Sequence, residues 1–251
     1  MLNYQDRLQI KQEILEVFKD VFGKGDFLNN LQVQKKSDHS RVTVIDFKIS
    51  EIIKKHIMSL PQFKKFTFFC EEEYEELKFP AVIVDPVDGT NELIKGLPEC
   101  AISVGIFPDN GFSNGFGWIF NPFTGFEICS EDIFQKAPNS HDGVLFGLIS
   151  RSEIDKGLFK DVDQKNIIIA PKGSIANKLG LMAAGACDFI ISKKPKSIWD
   201  VAGGTILTHA AGYRFFVDGK EIVQLNQNEY QPPLCWCKSK EEYDKLMRFV
   251  S

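Results

Sequence analysis

The chain predicts a mixed α/β fold built in two halves. Three observations carry this. An apolar β-branched run at residues 82–84 ends on the acidic turn Asp85-Pro86-Val87-Asp88-Gly89. Strand-like segments separated by good turn chemistry follow it as a meander. The second half then alternates strand and helix patterns, the signature of α/β architecture. A boundary near residue 140 divides an N-terminal α+β half, 1–140, from a C-terminal α/β half, 141–251.

Each element follows from its residues. In 4–22, Leu8, Ile14, Leu15, Phe18, Val21 and Phe22 fall at near-helical spacing before Gly23 and Gly25, so the spacing predicts an amphipathic helix. Residues 35–41 form a polar loop. Thr43 then reads as an N-cap, with Asp46 at the third position of a helix running through Phe47, Ile49, Ile52, Ile53 and Ile57. Within that segment alone, Asp46 is a capping-box acid. Phe66 to Cys70 reads as a buried strand that runs into Glu71-Glu72-Glu73-Tyr74-Glu75-Glu76. Such a run is usually a solvated face, yet its first members begin where a strand ends, the place where α/β sheets gather ligands.

The turn after residue 84 is stiff, because Pro86 fixes its own φ and restricts Asp85. Gly89 lets the backbone approach a ligand, and a short helix with Thr90 or Asn91 near its start presents free N–H groups. Cations on Asp85 and Asp88 with a phosphate beside them fit this turn. A solvated Asp-Pro turn capped by Thr90 fits it as well. Strands are expected at 101–107, 115–120 and 124–130, a polar loop at 134–143, and a strand at 144–149. A helix around 152–160 and a strand at 167–170 follow. Lys172-Gly173-Ser174 opens a helix over 175–185, and 187–191 reads as a strand. Residues 192–197 are a basic loop. Trp199-Asp200 starts a helix rich in small residues, among them Ala202, Gly203, Gly204, Ala210 and Ala211, which can pack very close to a neighbour. Short strands at 214–217 and 234–237 and a helix at 240–249 complete the chain.

The 251 residues suffice for a proper core, and 43% apolar with 25% charged content is ordinary for a globular protein. A net charge of −4 gives no reason to expect a nucleic-acid polymer as partner. The 22 Phe residues fall mostly inside strand and helix patterns and read as core. Six scattered cysteines without a Cys-x-x-Cys, no signal peptide and no long apolar span favour a reducing, cytoplasmic setting away from membranes. The four histidines show no ligand spacing. No Gly-x-x-x-x-Gly-Lys loop or Gly-x-Ser-x-Gly elbow occurs, which disfavours a P-loop nucleoside triphosphatase or a serine hydrolase.

Four acidic groups stand at element boundaries: Asp46, Glu71-Glu72, Asp85 with Asp88, and Asp200. If they converge, they cannot all ionise in one cleft without cations. All-oxygen ligands select Mg²⁺ or Mn²⁺.

Asp85-Pro-Val-Asp-Gly-Thr90, preceded by Glu71-Glu72 and followed by Trp199-Asp200-Val-Ala-Gly203, resembles the inositol monophosphatase superfamily. The Lys36-Ser37-Asp38…Thr43…Asp46 segment resembles its N-terminal motif, so the likeness spans roughly residues 35–212. The resemblance implies a layered αβαβα sandwich, two or three Mg²⁺ per site with Mn²⁺ as a possible substitute, inhibition by Li⁺ and a homodimer. It implies Glu71, Asp85 and the Val87 carbonyl as ligands of one metal, and Asp85, Asp88 and Asp200 as ligands of a second. Asp46 and Thr90 match the pair that orients and deprotonates the attacking water, and Glu72 the acid beside them. Gly89 and Thr90 would supply N–H groups to phosphate, with Gly173 and Ser174 also on the substrate side.

The sequence departs from the family pattern in places. Arg41 replaces the usual Pro, Val44-Ile45 replaces a polar-small pair, and Glu73 follows the Glu pair. Lys193 stands seven residues before Asp200, where inositol monophosphatases carry a Glu for a sugar hydroxyl. It reads as a clamp for a second anionic group or as part of a solvated basic loop. The expected activity is Mg²⁺-dependent hydrolysis of a small phosphate monoester by metal-activated water. One alternative is a 3′(2′),5′-bisphosphate nucleotidase acting on adenosine bisphosphate. Another is a low-activity phosphosugar-binding or regulatory member of the fold.

Overall fold

The structure is a computed structural model that describes residues 1–23, 25, 27–35, 41–74, 76–133, 143–159 and 166–250, the last two as backbone only. The Lys36-Ser37-Asp38 motif and most of the 134–143 loop lie outside the described residues.

Helix α1 (Tyr4–Phe22) and the short α2 (Phe27–Leu31) lead to a two-residue pair, β1 (Gln34–Lys35) with β2 (Arg41–Val42), and then to α3 (Val44–Ser59). The N-terminus of α3 is the expected capping box of Thr43 and Asp46. Strands β3 (Thr67–Cys70) and β4 (Ala81–Asp88), helix α4 (Thr90–Ile94), and strands β5 (Ala101–Phe107), β6 (Phe116–Phe120) and β7 (Glu127–Cys129) complete the first half. The five strands form one sheet in chain order, parallel between β3 and β4 and antiparallel beyond.

The second half runs β8 (Leu145–Ser150), α5 (Arg151–Asp155), β9 (Ile167–Lys172), α6 (Ile175–Ala183), β10 (Phe189–Ser192), β11 (Lys196–Ser197) and α7 (Ile198–Ala210). It ends with β12 (Arg214–Val217), β13 (Lys220–Ile222), β14 (Glu229–Tyr230), β15 (Leu234–Cys237) and α8 (Lys240–Val250). Its six-stranded sheet has the order β13-β12-β15-β10-β8-β9, with β10, β8 and β9 parallel.

Strand periodicity builds the layers. On β4, Val82 and Val84 join the core under α1 and α3, whereas Ile83 turns to the other face and packs with α6 and α7. On β10, Ile190 faces those same helices, while Phe189 and Ile191 face outward beneath Tyr243 and Leu246 of α8. The order is therefore helices, sheet, helices, sheet, helices: the αβαβα sandwich.

The small residues of α7 let this helix lie hard against the first sheet. A Cβ on Gly203 would come within 2.8 Å of the Val104 carbonyl oxygen, and one on Gly117 within 2.4 Å of the Gly203 carbonyl oxygen. That contact fixes α7, and with it Asp200, beside the ends of β4.

Several boundaries differ from expectation. Strand β4 does not stop at Asp85; it continues through Pro86 to Asp88, with a register shift between Asp85 and Asp88 against β5. The irregularity absorbs the proline, which cannot complete a ladder. Helix α4 begins at Thr90, near the expected start, but Thr90 is its first residue and not its cap. The N-cap is Gly89 in the left-handed region, φ 96°. Helix α5 spans only Arg151–Asp155, not 152–160, because Gly157 turns left-handed at φ 71°. Strands β13 and β14 lie in stretches too polar to predict a strand. Among the described residues no helix is long and apolar enough to cross a membrane.

Candidate active site

The C-terminal ends of β4, β8 and β9, the turn after β3, and the N-termini of α4, α6 and α7 surround one cleft of about 330 Å³. Glu71, Asp85, Val87, Asp88, Gly89, Thr90, Gly173, Ser174 and Asp200 all line it. Single carboxylate oxygens of Asp85, Asp88 and Asp200 lie within 4.8 Å of one another.

Each aspartate is held by one oxygen, leaving the other for the cleft. Asp85 Oδ1 accepts from the Val87 N–H at 3.0 Å. Its Oδ2 is buried without a donor. A cation, or a proton shared with Asp200, would settle that atom. Asp88 Oδ2 accepts from the Ser174 hydroxyl at 2.6 Å and from the Ala176 N–H at 2.5 Å, at the start of α6. Asp200 Oδ2 accepts from the Ser197 N–H at 2.9 Å. Asp46 Oδ2 accepts from the Thr43 N–H and hydroxyl at 2.8 and 2.6 Å. Its Oδ1 accepts from the Thr90 hydroxyl at 3.3 Å. Capping and site geometry are thus not rivals at Asp46: one oxygen closes the helix and the other faces Thr90. The same hydroxyl lies 3.0 Å from the Val87 carbonyl oxygen.

Burial and mutual repulsion make this floor unfavourable for bare carboxylates. Burial first, then the charges of Glu71, Asp88, Asp200 and Asp46, hold the Asp85 carboxyl well above its usual range. Burial pushes Asp200 up to about 6, partly offset by Lys196. Burial pushes Asp46 up to about 6, with the Glu72 charge adding to it and the bonds from Thr43 opposing it. Three carboxylates with oxygens this close together, one of them carrying a buried, donorless oxygen, suit a hard divalent cation.

Two backbone features shape the floor. A Cβ on Gly89 would lie 2.8 Å from the Glu99 carbonyl oxygen, so close approach as well as positive φ requires glycine there. Ser174 adopts φ 59°, ψ 118°, a region other residues avoid, where strain of about 1–3 kcal/mol is typical. Its hydroxyl gains two partners from that pose, Asp88 and the Asn177 N–H. The turn carrying Glu71 is pinned by the Tyr74 ring, 5.0 Å from that of Trp199, and by the Lys54–Glu73 ion pair at 2.5 Å.

Lys193 does not line the cleft. Its ammonium donates to the Leu158 carbonyl at 2.9 Å and lies over the Phe159 ring, on the far side of the loop. Of the two readings of this loop, the clamp is not placed at Lys193; Lys194 and Lys196 of the same loop line the cleft. Sequence reasoning also missed Glu92, Ser150, Arg151 and Ser152. A helical acid and a strand-end Ser-Arg-Ser carry no motif that separates them from ordinary surface residues.

The family model for the inositol monophosphatase family matches residues 4–247. This chain belongs to the inositol monophosphatase family. Its members are phosphatases, and the chain is a metal-dependent phosphoric monoester hydrolase. A fructose-1,6-bisphosphatase/inositol-1-monophosphatase of Aquifex aeolicus is 27% identical over 221 residues, 78% of each chain. Inositol monophosphatase 3 of Solanum lycopersicum is 25% identical over 239 residues, covering 86% of this chain and 87% of its own. Among solved structures, a Thermotoga maritima IMPase superposes with a TM-score of 0.76 at 21% identity, over 97% of this chain and 94% of the other. That likeness bears on the fold.

Proposed function

We propose that the chain hydrolyses a small-molecule phosphate monoester with Mg²⁺ at this cleft. The observation that carries the reading is the donorless Asp85 Oδ2 set among Asp88 and Asp200. Glu71, Asp85, the Val87 carbonyl, Asp88 and Asp200 would hold two cations. When bound, such cations lower the pKa of a coordinated water and neutralise charge on the leaving oxygen.

The chain's own residues do the rest. Thr90 and Asp46 form the water-orienting pair. The carboxyl of Asp46 is poised near 6, so it is ionised at neutral pH and close enough to the operating pH to accept a proton. Gly89 and Thr90, beside Asp88, present backbone N–H groups to phosphate oxygens. Gly173 is fixed by its own N–H to Glu99 at 2.8 Å, which sets Ser174 and through it Asp88. Mostly pre-placed charge and orientation lower the barrier, as phosphoryl transfer requires.

The experiment is a phosphate-release screen over inositol phosphates, fructose bisphosphate and adenosine bisphosphate. Release that depends on Mg²⁺, stops with chelator and collapses in Asp88→Asn is expected. Release indifferent to chelator contradicts the reading.

A further inference from the structure

The acidic pair Glu71-Glu72 sits where the sheet supports the floor least. Strand β3 is an edge strand, so the turn after it has a sheet partner on the β4 side only. On that side the Glu71 N–H donates to the Val84 carbonyl at 3.1 Å, which sets Glu71 beside Asp85. The turn itself is tight. The Glu73 N–H donates to the Cys70 carbonyl at 3.0 Å and the Cys70 N–H to the Glu73 carbonyl at 3.2 Å, with Glu71 and Glu72 at the two corners. Like charges push such a turn outward: the charge of Glu71 acts on Asp85, and that of Glu72 on Asp46.

An aromatic contact opposes that push. The Tyr74 ring, next in the chain, lies 5.3 Å from Phe69 of β3 and 5.0 Å from Trp199 of α7. Phe69 and Trp199 are 5.9 Å apart, so the rings close a triangle drawn from a strand, a turn and a helix. Phe69 is fully buried, whereas Tyr74 is 55% exposed, so Tyr74 covers this triangle from outside and is not part of the core. Trp199 directly precedes Asp200. The ring that fixes the Glu71 turn therefore rests on the residue beside a ligand carried by a different element. On the outer side, Lys54 of α3 pairs with Glu73 and lies over the Phe68 ring. That pair is solvent-exposed, and exposed pairs contribute little, so the rings carry the larger share.

We propose that Tyr74 is a positioning residue for cation binding: its ring clasps the Glu71-Glu72 turn to Trp199 and holds the elements carrying Glu71 and Asp200 together before any cation arrives. This rests on the phosphatase reading, in which Glu71 and Asp85 share one cation and Asp85, Asp88 and Asp200 a second. Ligands gathered in advance bind more tightly, because the cost of ordering them is already met. Tyr74 does not line the cleft, so it acts through the turn and not by contact with substrate.

Calorimetric titration of the metal-free protein with Mg²⁺ tests the clasp, beside phosphate release from a chromogenic aryl phosphate measured against Mg²⁺ concentration. Tyr74→Leu keeps an apolar side chain and loses the ring. It should weaken Mg²⁺ binding about tenfold, the scale of one or two aromatic contacts. The Mg²⁺ concentration at half-maximal rate should rise by the same factor, while kcat at saturating Mg²⁺ falls far less. Tyr74→Gln, a second variant without the ring, should behave in the same way. Tyr74→Phe retains the ring and should bind Mg²⁺ within about twofold of wild type. Thermal melts of the metal-free variants check that each is folded. Mg²⁺ affinity that is unchanged in both ring-less variants, or lost equally in Tyr74→Phe, overturns the clasp and leaves the phosphatase reading standing. A loss of kcat as large as the loss of affinity also overturns it. Absence of Mg²⁺ binding in the wild type overturns both readings.

Discussion

The floor of the cleft and the wall where β8 passes into α5 bury charge by opposite means. The floor crowds carboxylates together, and each accepts from the chain through only one of its oxygens: Asp85 from the Val87 N–H, Asp88 from the Ser174 hydroxyl and the Ala176 N–H, Asp200 from the Ser197 N–H. The wall buries a cation, Lys178 of α6, whose ammonium donates to the Ser150 hydroxyl. Burial raises the floor carboxyls and lowers the Lys178 ammonium to about 8, so each region resists its own charge. The crowded oxygens of the floor suit a hard divalent cation.

The largest effect should come from the floor. Asp88→Asn removes a ligand charge and weakens the tie to α6. Phosphate release with Mg²⁺ should fall by about two to three orders of magnitude, the scale of several kcal/mol of charge stabilisation. A fall of less than about tenfold breaks the assignment of the floor.

Next is the water-orienting pair. Asp46 must lose its proton to act, so kcat should rise with pH through the Asp46 pKa, which is about 6 in the metal-free protein and falls when cations are bound beside it. Asp46→Asn should lower kcat about a hundredfold or more and erase that acid limb. A pH–rate profile of both proteins checks it.

The third contrast separates floor from wall by stability. Asp46 and Asp200 titrate at about 6 in the fold and from an ordinary 3.8 when unfolded, so the folded state binds more protons between these values. Their contribution to metal-free stability is full below 3.8 and is lost as pH rises through about 6. Added Mg²⁺ should therefore stabilise the protein far more at neutral pH than in acid, by about 3 kcal/mol at a hundredfold excess over Kd. For Lys178 the sign is reversed. Its folded value of about 8 lies below the ordinary 10.5, so the unfolded chain binds more protons between them and stability rises with pH there. Lys178→Met should remove that rise, read as the difference from wild type in thermal melts.

The smallest effect concerns the support of the floor. Gly203→Ala drives a methyl toward the Val104 carbonyl and should cost about 1–3 kcal/mol of stability. It should also shift Asp200, so Mg²⁺ affinity should weaken.

The sequence made the floor legible and left the wall hidden, for a physical reason. Asp85-Pro86-Val87-Asp88-Gly89 compresses a strand end, a bulge and a left-handed turn into adjacent residues, so a contiguous family motif marks the site where local chemistry alone leaves a solvated turn equally open. The wall joins Ser150 to Lys178 and Ser152 to Lys194 across β8, α6 and the loop after β10, and no short stretch contains either pair. The family's spacing from Asp200 points to Lys193, but spacing does not say which way a loop side chain turns. Its neighbours Lys194 and Lys196 face the cleft, and Lys193 is held by Leu158. The layers were legible in part: periodicity on β4 and β10 and the small residues of α7 give the contacts, while β13 and β14 lack apolar alternation.

The most direct measurement is a calorimetric titration of metal-free protein with Mg²⁺ near pH 6, in buffers of different ionisation heat. Binding accompanied by proton release, with both lost in Asp85→Asn, is the result expected of carboxylates that stay charged only when cations fill the space between them. Absence of Mg²⁺ binding in the wild type, or binding that Asp85→Asn leaves intact, would contradict it.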